Sequence, residues 1–418
     1  MIRYKRSGIV LLLIVCVCLF GCSKKEKKPV TISMIHAWGG TEEDHAAMRN
    51  IYEEFQKENP DIILQMIPMP TGKDLQRKAE DLIMVGDVPD IINFSGCGKN
   101  QTYEFIIEND LALDLNPYLK KDPEFAERVS DVNKEYWTEK NHGLYSVADV
   151  LILSGGYWYN EDILEEAGVD AIPKTWPEFL EMCEKIKVWA DEKGNGVEPH
   201  HISGEGYIYF MNHLLAEKKI ETNEAISDWE SYSRAMEILK EVYQYASMNE
   251  EEYTYLDEIN MFNQGKLGIF VNGVWGAPMI HSTVNAKYAL LPTMTGKSMS
   301  CESVGIGYVL NNSGNAEKQE AAVRFLKYML SESVQTRILR ETEQIPANPN
   351  VSLEEFEAEK ERLHNAAFQV VHAEYKIEAP SNIWTETQTA FFEENIIKVL
   401  NGQMPEEELG KRLEIEQD

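Results

Sequence analysis

Adjacent histidines and a short glycine-containing run are the residues of this sequence whose types could do chemistry. His200 and His201 point in different directions on a helix or a strand, which is poor geometry for one metal ion. We expect them to line a loop or the rim of a cleft. Gly296–Ser298 copies the end of a nucleotide-binding P-loop, but Leu291 stands where that motif requires its first glycine. The sequence contains no HExxH and no GxSxG motif, and it leaves open a pair of catalytic carboxylates, because their separation is set by the fold.

The N-terminus has the pattern of an export signal that ends in a thiol. Three cations, Arg3, Lys5 and Arg6, precede an apolar run from Ile9 to Phe20, which is too short for a permanent membrane-spanning helix. Leu19–Cys22 then resembles the lipobox of bacterial lipoproteins. That resemblance implies that residues 1–21 are a signal peptide, that Cys22 is diacylated, and that residues 22–29 form a polar tether. Two acyl chains suffice for stable anchoring, at about 0.8 kcal/mol per buried CH₂. The alternative is an uncleaved signal-anchor helix with an incidental cysteine.

The other cysteines do not indicate a disulfide framework. Cys16 and Cys18 leave with the signal, so Cys97, Cys183 and Cys301 remain at wide spacing. An odd number of cysteines without a CxxC pair also gives no metal pattern. We therefore expect core residues or half-exposed thiols, and no metal or other cofactor.

Length and charge limit the class of protein. The formal net charge is −30, and removal of the signal takes three cations and no acidic residue, so it becomes −33. A surface this negative argues against nucleic acid and against an anionic ligand, since both would be repelled. A mature chain of about 400 residues exceeds what one hydrophobic core usually organises, so we expect two lobes.

Strands and helices alternate along the first part of the chain. Strands are predicted at Val30–His36, Ile62–Ile67 and Asp90–Phe94, with amphipathic helices between them. This order is typical of a parallel sheet flanked by helices, in which ligands bind beyond the carboxyl ends of the strands. The segments that follow the strands, 36–40 and 95–98, are therefore placed to touch a ligand.

The second part of the sequence is richer in helices. Thr175 and Glu178 form a capping box at the start of one of them, which gives Trp176 a structural role. Strands are predicted at Leu267–Val271, Tyr288–Leu291 and Gly305–Leu310, and Asn272-Gly273 forms a turn after the first of these.

Four motifs carry a resemblance to a known family. The motifs are Gly86–Ile91, Tyr159–Ile163, Thr175–Phe179 and Asn272–Trp275. They resemble, in the same order, motifs of the bacterial extracellular solute-binding proteins of the maltose-binding type. The similarity runs from about residue 30 to residue 415. The resemblance implies an α/β fold of two lobes, each a mostly parallel sheet flanked by helices, with a ligand cleft between them that closes on sugar like a hinge.

Lobe boundaries follow from the same resemblance. The first lobe would comprise 30–148 with 308–350, and the second 149–304 with 355–418. The chain would cross between the lobes near Ser146–Val150, Ser303–Tyr308 and Asn348–Val351.

Three tryptophans are candidates for contact with a sugar. A pyranose has apolar C–H faces, on which aromatic rings stack, and a belt of hydroxyls that bind polar groups. Trp38 follows the first strand beside Gly39, which we also place in the site. Trp275 and Trp384 match stacking positions of the family. For each tryptophan the alternative is ordinary core packing.

Polar candidates surround the same predicted cleft. Ser95, or Asn93 beside it, ends the third strand. Asp149 resembles the family carboxylate that meets the ligand from the hinge, although more residues separate it from Tyr159 than in the maltose-binding pattern. Glu205 and Glu302 could also hydrogen-bond hydroxyls. The alternative is a solvated surface position, which is common among 70 acidic residues.

These features together predict a binding protein and no enzyme. We expect a monomer on the extracytoplasmic face of the membrane, anchored through Cys22, that binds a neutral mono- or oligosaccharide and delivers it to the permease subunits of an ABC importer. The alternatives are a secreted carbohydrate-active enzyme and a structural or adhesive lipoprotein.

Overall fold

A computed structural model describes most of the chain. It describes residues 28–41, 43–94, 99–202, 204–222, 229–246, 255–305, 307–356, 360–377, 379 and 384–413. Cys22, Ser95 and Cys97, which the sequence singled out, lie outside these ranges, as does the side chain of Glu205.

Thirteen strands lie in the described residues and form three sheets. They are β1 Val30–His36, β2 Ile62–Pro68, β3 Ile91–Phe94, β4 Ser146–Ala148, β5 Val150–Ser154, β6 Gly156–Asn160, β7 Glu198–His201, β8 Leu267–Val271, β9 Ala286–Leu290, β10 Met299–Val304, β11 Gly307–Leu310, β12 Ile345–Pro346 and β13 Tyr375–Ile377.

Helices cover the faces of the sheets. The α-helices are α1 Glu43–Glu58, α2 Gly72–Met84, α3 Gln101–Glu108, α4 Asn116–Lys121, α5 Pro123–Arg128, α6 Asp131–Trp137, α7 Glu161–Glu166, α8 Trp176–Lys193, α9 Gly204–Thr222, α10 Trp229–Tyr243, α11 Tyr255–Asn263, α12 Ala316–Met329, α13 Glu332–Thr342, α14 Glu361–Val371, α15 Glu386–Leu400 and α16 Glu406–Leu413, and 3₁₀ helices span Val274–Met279 and Leu353–Phe356. None of the helices in the described part of the chain combines the length and the apolar character needed to cross a membrane.

The first lobe is built on a five-stranded sheet of order β2-β1-β3-β11-β4. β1 runs parallel to β2 and β3, as predicted, whereas β11 is antiparallel to β3 and β4. The sheet is therefore mixed, but four of its five strands point the same way, so the prediction of a mostly parallel sheet is confirmed and only β11 runs in the opposite direction. The reason is that β11 returns from the other lobe, so it begins at the edge where β1 and β3 end.

The second lobe contains a sheet of order β7-β8-β6-β9. β7 and β8 are parallel, but β6 is antiparallel to both of its neighbours. β6 enters from the first lobe, which again reverses its direction relative to β7 and β8. A third sheet has the order β12-β5-β10-β13, and we call it the connecting sheet because β5, β10 and β12 lie in or next to the predicted crossings.

Buried apolar side chains form a separate core in each lobe. The first core surrounds Tyr52, Trp137 and Tyr308 and draws its residues from 32–150 and 304–338. The second core includes Trp176 and draws its residues from 157–291 and 384–413. Leu339 belongs to a third cluster beside the connecting sheet. The predicted lobe boundaries stay predictions.

Local sequence signals explain several of these elements. The capping box of α8 is confirmed, since the Glu178 carboxylate accepts hydrogen bonds from the backbone N–H groups of Lys174 (2.8 Å) and Thr175 (3.0 Å). Trp176 is buried in the second core, as expected. Cys183 and Cys301 are buried and neither forms a disulfide, and burial raises the pKa of the Cys183 thiol.

Candidate functional site

The candidate site lies in the crevice between the lobes. A strand of the first-lobe sheet, β1, and a strand of the second-lobe sheet, β8, end there. β1 ends at His36 and is followed by Trp38 and Gly39. β8 ends at Val271 and is followed by the 3₁₀ helix that carries Trp275. Carboxyl ends of strands are the usual ligand side of an α/β sheet, because the loops there are free to vary.

Trp275 keeps part of its indole exposed. The ring lies over the backbone of Gly273, where an added Cβ would come within 1.9 Å of the indole Cζ3. Its centroid lies 6.1 Å from that of Tyr209, and the two planes are inclined by 50°. Both rings are half-buried. This aromatic pair, Trp275 with Tyr209, offers apolar surface of the type that a sugar ring covers.

The turn below the aromatic pair is fixed by the protein core. The buried Trp158 donates a hydrogen bond from Nε1 to the Gly273 carbonyl (2.9 Å). A Cβ at Gly276 would lie 2.7 Å from the same nitrogen, so glycine is needed there. The position of Trp275 is thus held by the packing of this turn against the core.

Tyr209 is a candidate site residue that the sequence did not indicate. It lies on α9, where Tyr207 is fully buried and Tyr209 is not. Residues two apart on a helix face different sides, and this spacing is the signal that could have separated them.

Trp38 is more enclosed than a cleft residue needs to be. Only 6% of it is exposed, and its ring meets His45 edge to face at 5.1 Å. Arg49 donates from Nη1 to the carbonyls of Trp38 and Gly40. Trp38 therefore has a packing role in the first core, and its contact with a ligand stays a prediction.

Local packing explains why glycine occupies position 39. Its N–H donates to the Met69 carbonyl at 2.8 Å, and a Cβ at this position would lie 2.6 Å from the same oxygen. Glycine permits the close approach of the two loops that follow β1 and β2. Contact between Gly39 and a ligand likewise stays a prediction.

Trp384 lies in the core of the second lobe. It is 3% exposed, and it stacks on Phe392 with centroids 5.8 Å apart and planes inclined by 16°. Its Nε1 donates to the Tyr232 hydroxyl at 3.0 Å. Protein atoms cover the ring, so the observed geometry gives Trp384 a packing role and lends no support to the predicted stacking on sugar.

Asp149 lies between β4 and β5, at the first predicted crossing, but its side chain is fully buried. Tyr308 donates a hydrogen bond to Asp149 Oδ2 at 2.6 Å. Burial raises the pKa of Asp149 to about 7, and the Tyr308 hydrogen bond opposes that rise. Asp149 is thus enclosed by protein at the predicted crossing, and its contact with a ligand stays a prediction.

Glu302 lies on β10 of the connecting sheet and is partly exposed. Lys376 Nζ on β13 is 3.8 Å from its carboxylate. A pair with this exposure contributes little to stability, but it neutralises the acid beside the crossings. Ligand contact by Glu302 stays a prediction.

The adjacent histidines are structural. His200 and His201 lie on β7 and are buried, so the expectation that they line a loop or a cleft rim was wrong. The two side chains point to opposite faces of the strand, and each ring is buried among core residues. His200 Nε2 lies 2.9 Å from the Val242 carbonyl, and burial lowers the pKa of His200 to about 4. Within the described ranges, no group of three or more His, Cys, Asp or Glu residues could hold a metal ion.

Solved structures show the class of protein that this fold defines. A solute-binding protein of Streptococcus pneumoniae, solved in complex with the blood group A-trisaccharide, matches with a TM-score of 0.75 at 21% identity, over 92% of this chain and 98% of that chain. Maltose-bound MalE3 of T. maritima matches with a TM-score of 0.72 at 18% identity, over 92% and 98% of the two chains. The fold is that of the two-lobed solute-binding proteins, with a ligand cleft between the lobes.

Sequence comparison identifies the family. The chain belongs to the family of bacterial extracellular solute-binding proteins, whose model matches residues 38–336. It is 26% identical to the Multiple sugar-binding protein of Streptococcus mutans over 357 residues, or 78% of each chain. It is also 27% identical over 198 residues to the putative ABC transporter periplasmic-binding protein YcjN of Escherichia coli, a match that spans only 43% of that protein and 45% of this chain.

Proposed function

We propose that this protein is the lipid-anchored substrate-binding component of an ABC importer and that it binds a neutral mono- or oligosaccharide by hinge closure. The observation that carries the choice of sugar is the half-buried aromatic pair of Trp275 and Tyr209 beside the crevice. The sugar ligands named for proteins of the same fold support this choice. The name of the Streptococcus mutans relative supports it as well.

Charge supports a neutral ligand. The chain carries 70 acidic against 40 basic residues. At the crossings the cation Lys376 is paired with Glu302. An anionic solute would therefore meet a repulsive field without a dedicated cation, whereas hydroxyl groups need neither.

Closure of the two lobes would explain how the sugar is captured. A sugar that touches both lobes binds the closed form better than the open form, and this differential affinity shifts the population. The proposed lobes are 30–148 with 308–350 and 149–304 with 355–418. The closed, monomeric protein would then dock on the permease subunits.

The anchor is part of the proposal. Cys22 follows the apolar segment at the position of a lipobox cysteine, and the tether up to residue 29 leads into β1, which begins at Val30. A lipid anchor at this point would hold the first lobe near the extracytoplasmic face of the membrane.

A glycan screen tests the ligand class. The full-length protein in detergent is incubated with neutral mono- and oligosaccharides, and thermal shift, calorimetry and product analysis are recorded. Saturable binding without products is expected, with about 2.7 kcal/mol of added stability at a hundredfold excess over Kd. Turnover would favour the secreted carbohydrate-active enzyme. A response to a phosphate-bearing or polycarboxylate solute alone would refute a neutral ligand, and no response to any solute would favour a structural lipoprotein.

A further inference from the structure

The three predicted crossings come together around Asp149 and Val150. The first crossing contains both residues, and Asp149 joins β4 of the first sheet to β5 of the connecting sheet. In the second crossing, Gly305 donates its N–H to the Val150 carbonyl at 2.9 Å. Next to the third crossing, Ala347 donates its N–H to the Asp149 carbonyl at 3.1 Å. Any rotation of the lobes must therefore strain or rearrange the backbone around Asp149.

Gln335 clamps two of the crossings from helix α13. Its Nε2 donates to the Asp149 carbonyl at 2.8 Å, and its Oε1 accepts from the Asn348 N–H at 3.0 Å. All three residues are buried, so water does not replace these bonds while the clamp is intact.

The Asp149 side chain extends the connection into the first lobe. Tyr308 on β11 donates to Oδ2, and the Tyr308 and Tyr52 hydroxyls lie 3.0 Å apart. Tyr52 belongs to α1, so a chain of three side chains links a helix of the first lobe to the crossings. The other carboxyl oxygen, Oδ1, is buried and accepts no hydrogen bond from any of the residues that the structure describes.

No positive charge balances this carboxyl in the described residues. Burial raises the pKa values of Tyr308 and Tyr52 well above the usual range, so both phenols stay neutral. Gln335 and Asn348, from α13 and the third crossing, carry no charge. His36 on β1 meets Tyr52 at 5.2 Å, and burial lowers the pKa of His36 to about 4. The groups that act on Asp149 include no lysine or arginine.

We propose that Asp149 and Tyr308 are positioning residues for ligand capture, which hold the three crossings together while Asp149 is neutral and loosen them when it ionises. A buried carboxylate with one unpaired oxygen is costly, so ionisation favours conformations that hydrate it. Water reaches the carboxylate only when the crossings separate. The two lobes then sample a wider range of distances from each other. The consequence for ligand capture rests on the proposed hinge function.

Pulsed electron paramagnetic resonance tests this lock without any ligand. Nitroxides on unnatural amino acids replace the exposed Lys120 in the first lobe and Glu192 in the second, in the full-length chain. The distance distribution should broaden between about pH 6 and pH 8.5, with a midpoint near pH 7. Asp149→Asn keeps an acceptor for Tyr308 and does not titrate, so its distribution should not change with pH.

The matched control is Asp90→Asn, which removes another buried first-lobe carboxylate away from the crossings. It should keep the wild-type pH response. Infrared spectroscopy should show a protonated carboxyl band that titrates in the wild type and in Asp90→Asn, and that is absent in Asp149→Asn. A pH-independent wild-type distribution, or an unchanged response in Asp149→Asn, would overturn the proposal. If the distance distribution changes with pH but no sugar binds, the proposed role of Asp149 is supported and the proposed ligand class is refuted.

Discussion

Replacing Trp275 with alanine should separate ligand binding from stability. The indole is half-buried against Gly273 and Tyr209. A tryptophan side chain offers about 150–250 Å², and because well under half of Trp275 is exposed, roughly 50 Å² remains for a ligand to cover. At about 25 cal/mol per Å² this area is worth about 1.3 kcal/mol, and stacking on the sugar adds about 0.5–1.5 kcal/mol. We therefore expect a ten- to hundredfold loss of affinity for the best sugar from the screen, measured by calorimetry.

The stability of the ligand-free protein should fall only moderately. Losing the larger part of the ring, which already packs, costs about 2–3 kcal/mol and lowers Tm by less than about ten degrees in a protein of this size. Trp275→Phe keeps an aromatic face and should lose less affinity than alanine. Trp176→Ala is the stability control, because this buried ring leaves a cavity that costs about 3–5 kcal/mol. A fall of ten degrees or more for Trp275→Ala, with unchanged affinity, would show that Trp275 is a core residue.

Three further predictions concern the anchor, the second-lobe core and acid stability. Cys22→Ser should release the protein from the membrane fraction with unchanged sugar affinity, and acylation of this variant, seen by mass spectrometry, would contradict the assignment. Trp384→Ala should lower the unfolding free energy by about 3–5 kcal/mol in urea titrations and leave sugar affinity within a few fold, since the ring is packed on Phe392; a large affinity loss with normal stability would instead restore it to the cleft. His200 and His213 are buried with pKa values of about 4, so the stability that they contribute above their unfolded pKa of about 6.5 should be lost as pH falls to 4. Urea unfolding at pH 7 and pH 5 should show about 2 kcal/mol lost for each, and His372→Gln, at an exposed site, should not alter this loss.

Strands with strong local signals could be predicted from the sequence. Val30–His36 and Leu267–Val271 were placed with their observed bounds, because each is a mostly apolar run of strand length. The connecting sheet was mostly missed. Its strand Met299–Val304 contains serine and glutamate, and Ile345–Pro346 has two residues. These strands exist because distant segments pair with them, and such pairing leaves no local pattern.

Burial decided which candidate side chains reach the crevice, and the sequence does not encode burial at single positions. Trp38, Trp275 and Trp384 were chosen by position or by resemblance, yet only Trp275 is half-buried. The backbone of Trp384 precedes α15, and the ring turns inward because Phe392 and Tyr232 offer a stacking face and an acceptor. Packing of this kind depends on three segments meeting, so no motif around the tryptophan reveals it.

Buried titratable groups act in opposite directions on the acid stability of this protein. The lowered pKa values of His200 and His213 remove stability between about pH 6.5 and pH 4. Asp149, with its pKa raised to about 7, destabilises the folded state as pH rises from its unfolded value of about 3.8, so acidification relieves that cost. From pH 7 to pH 5 the relief is about 2 kcal/mol, close to the loss from one histidine. Asp149→Asn should therefore be more stable than the wild type at pH 7 but lose stability more steeply on acidification. The Asp149 carboxyl thus costs stability at neutral pH, and this cost, at a residue that contacts the predicted crossings, favours the proposed role in lobe movement over a role in holding the fold together.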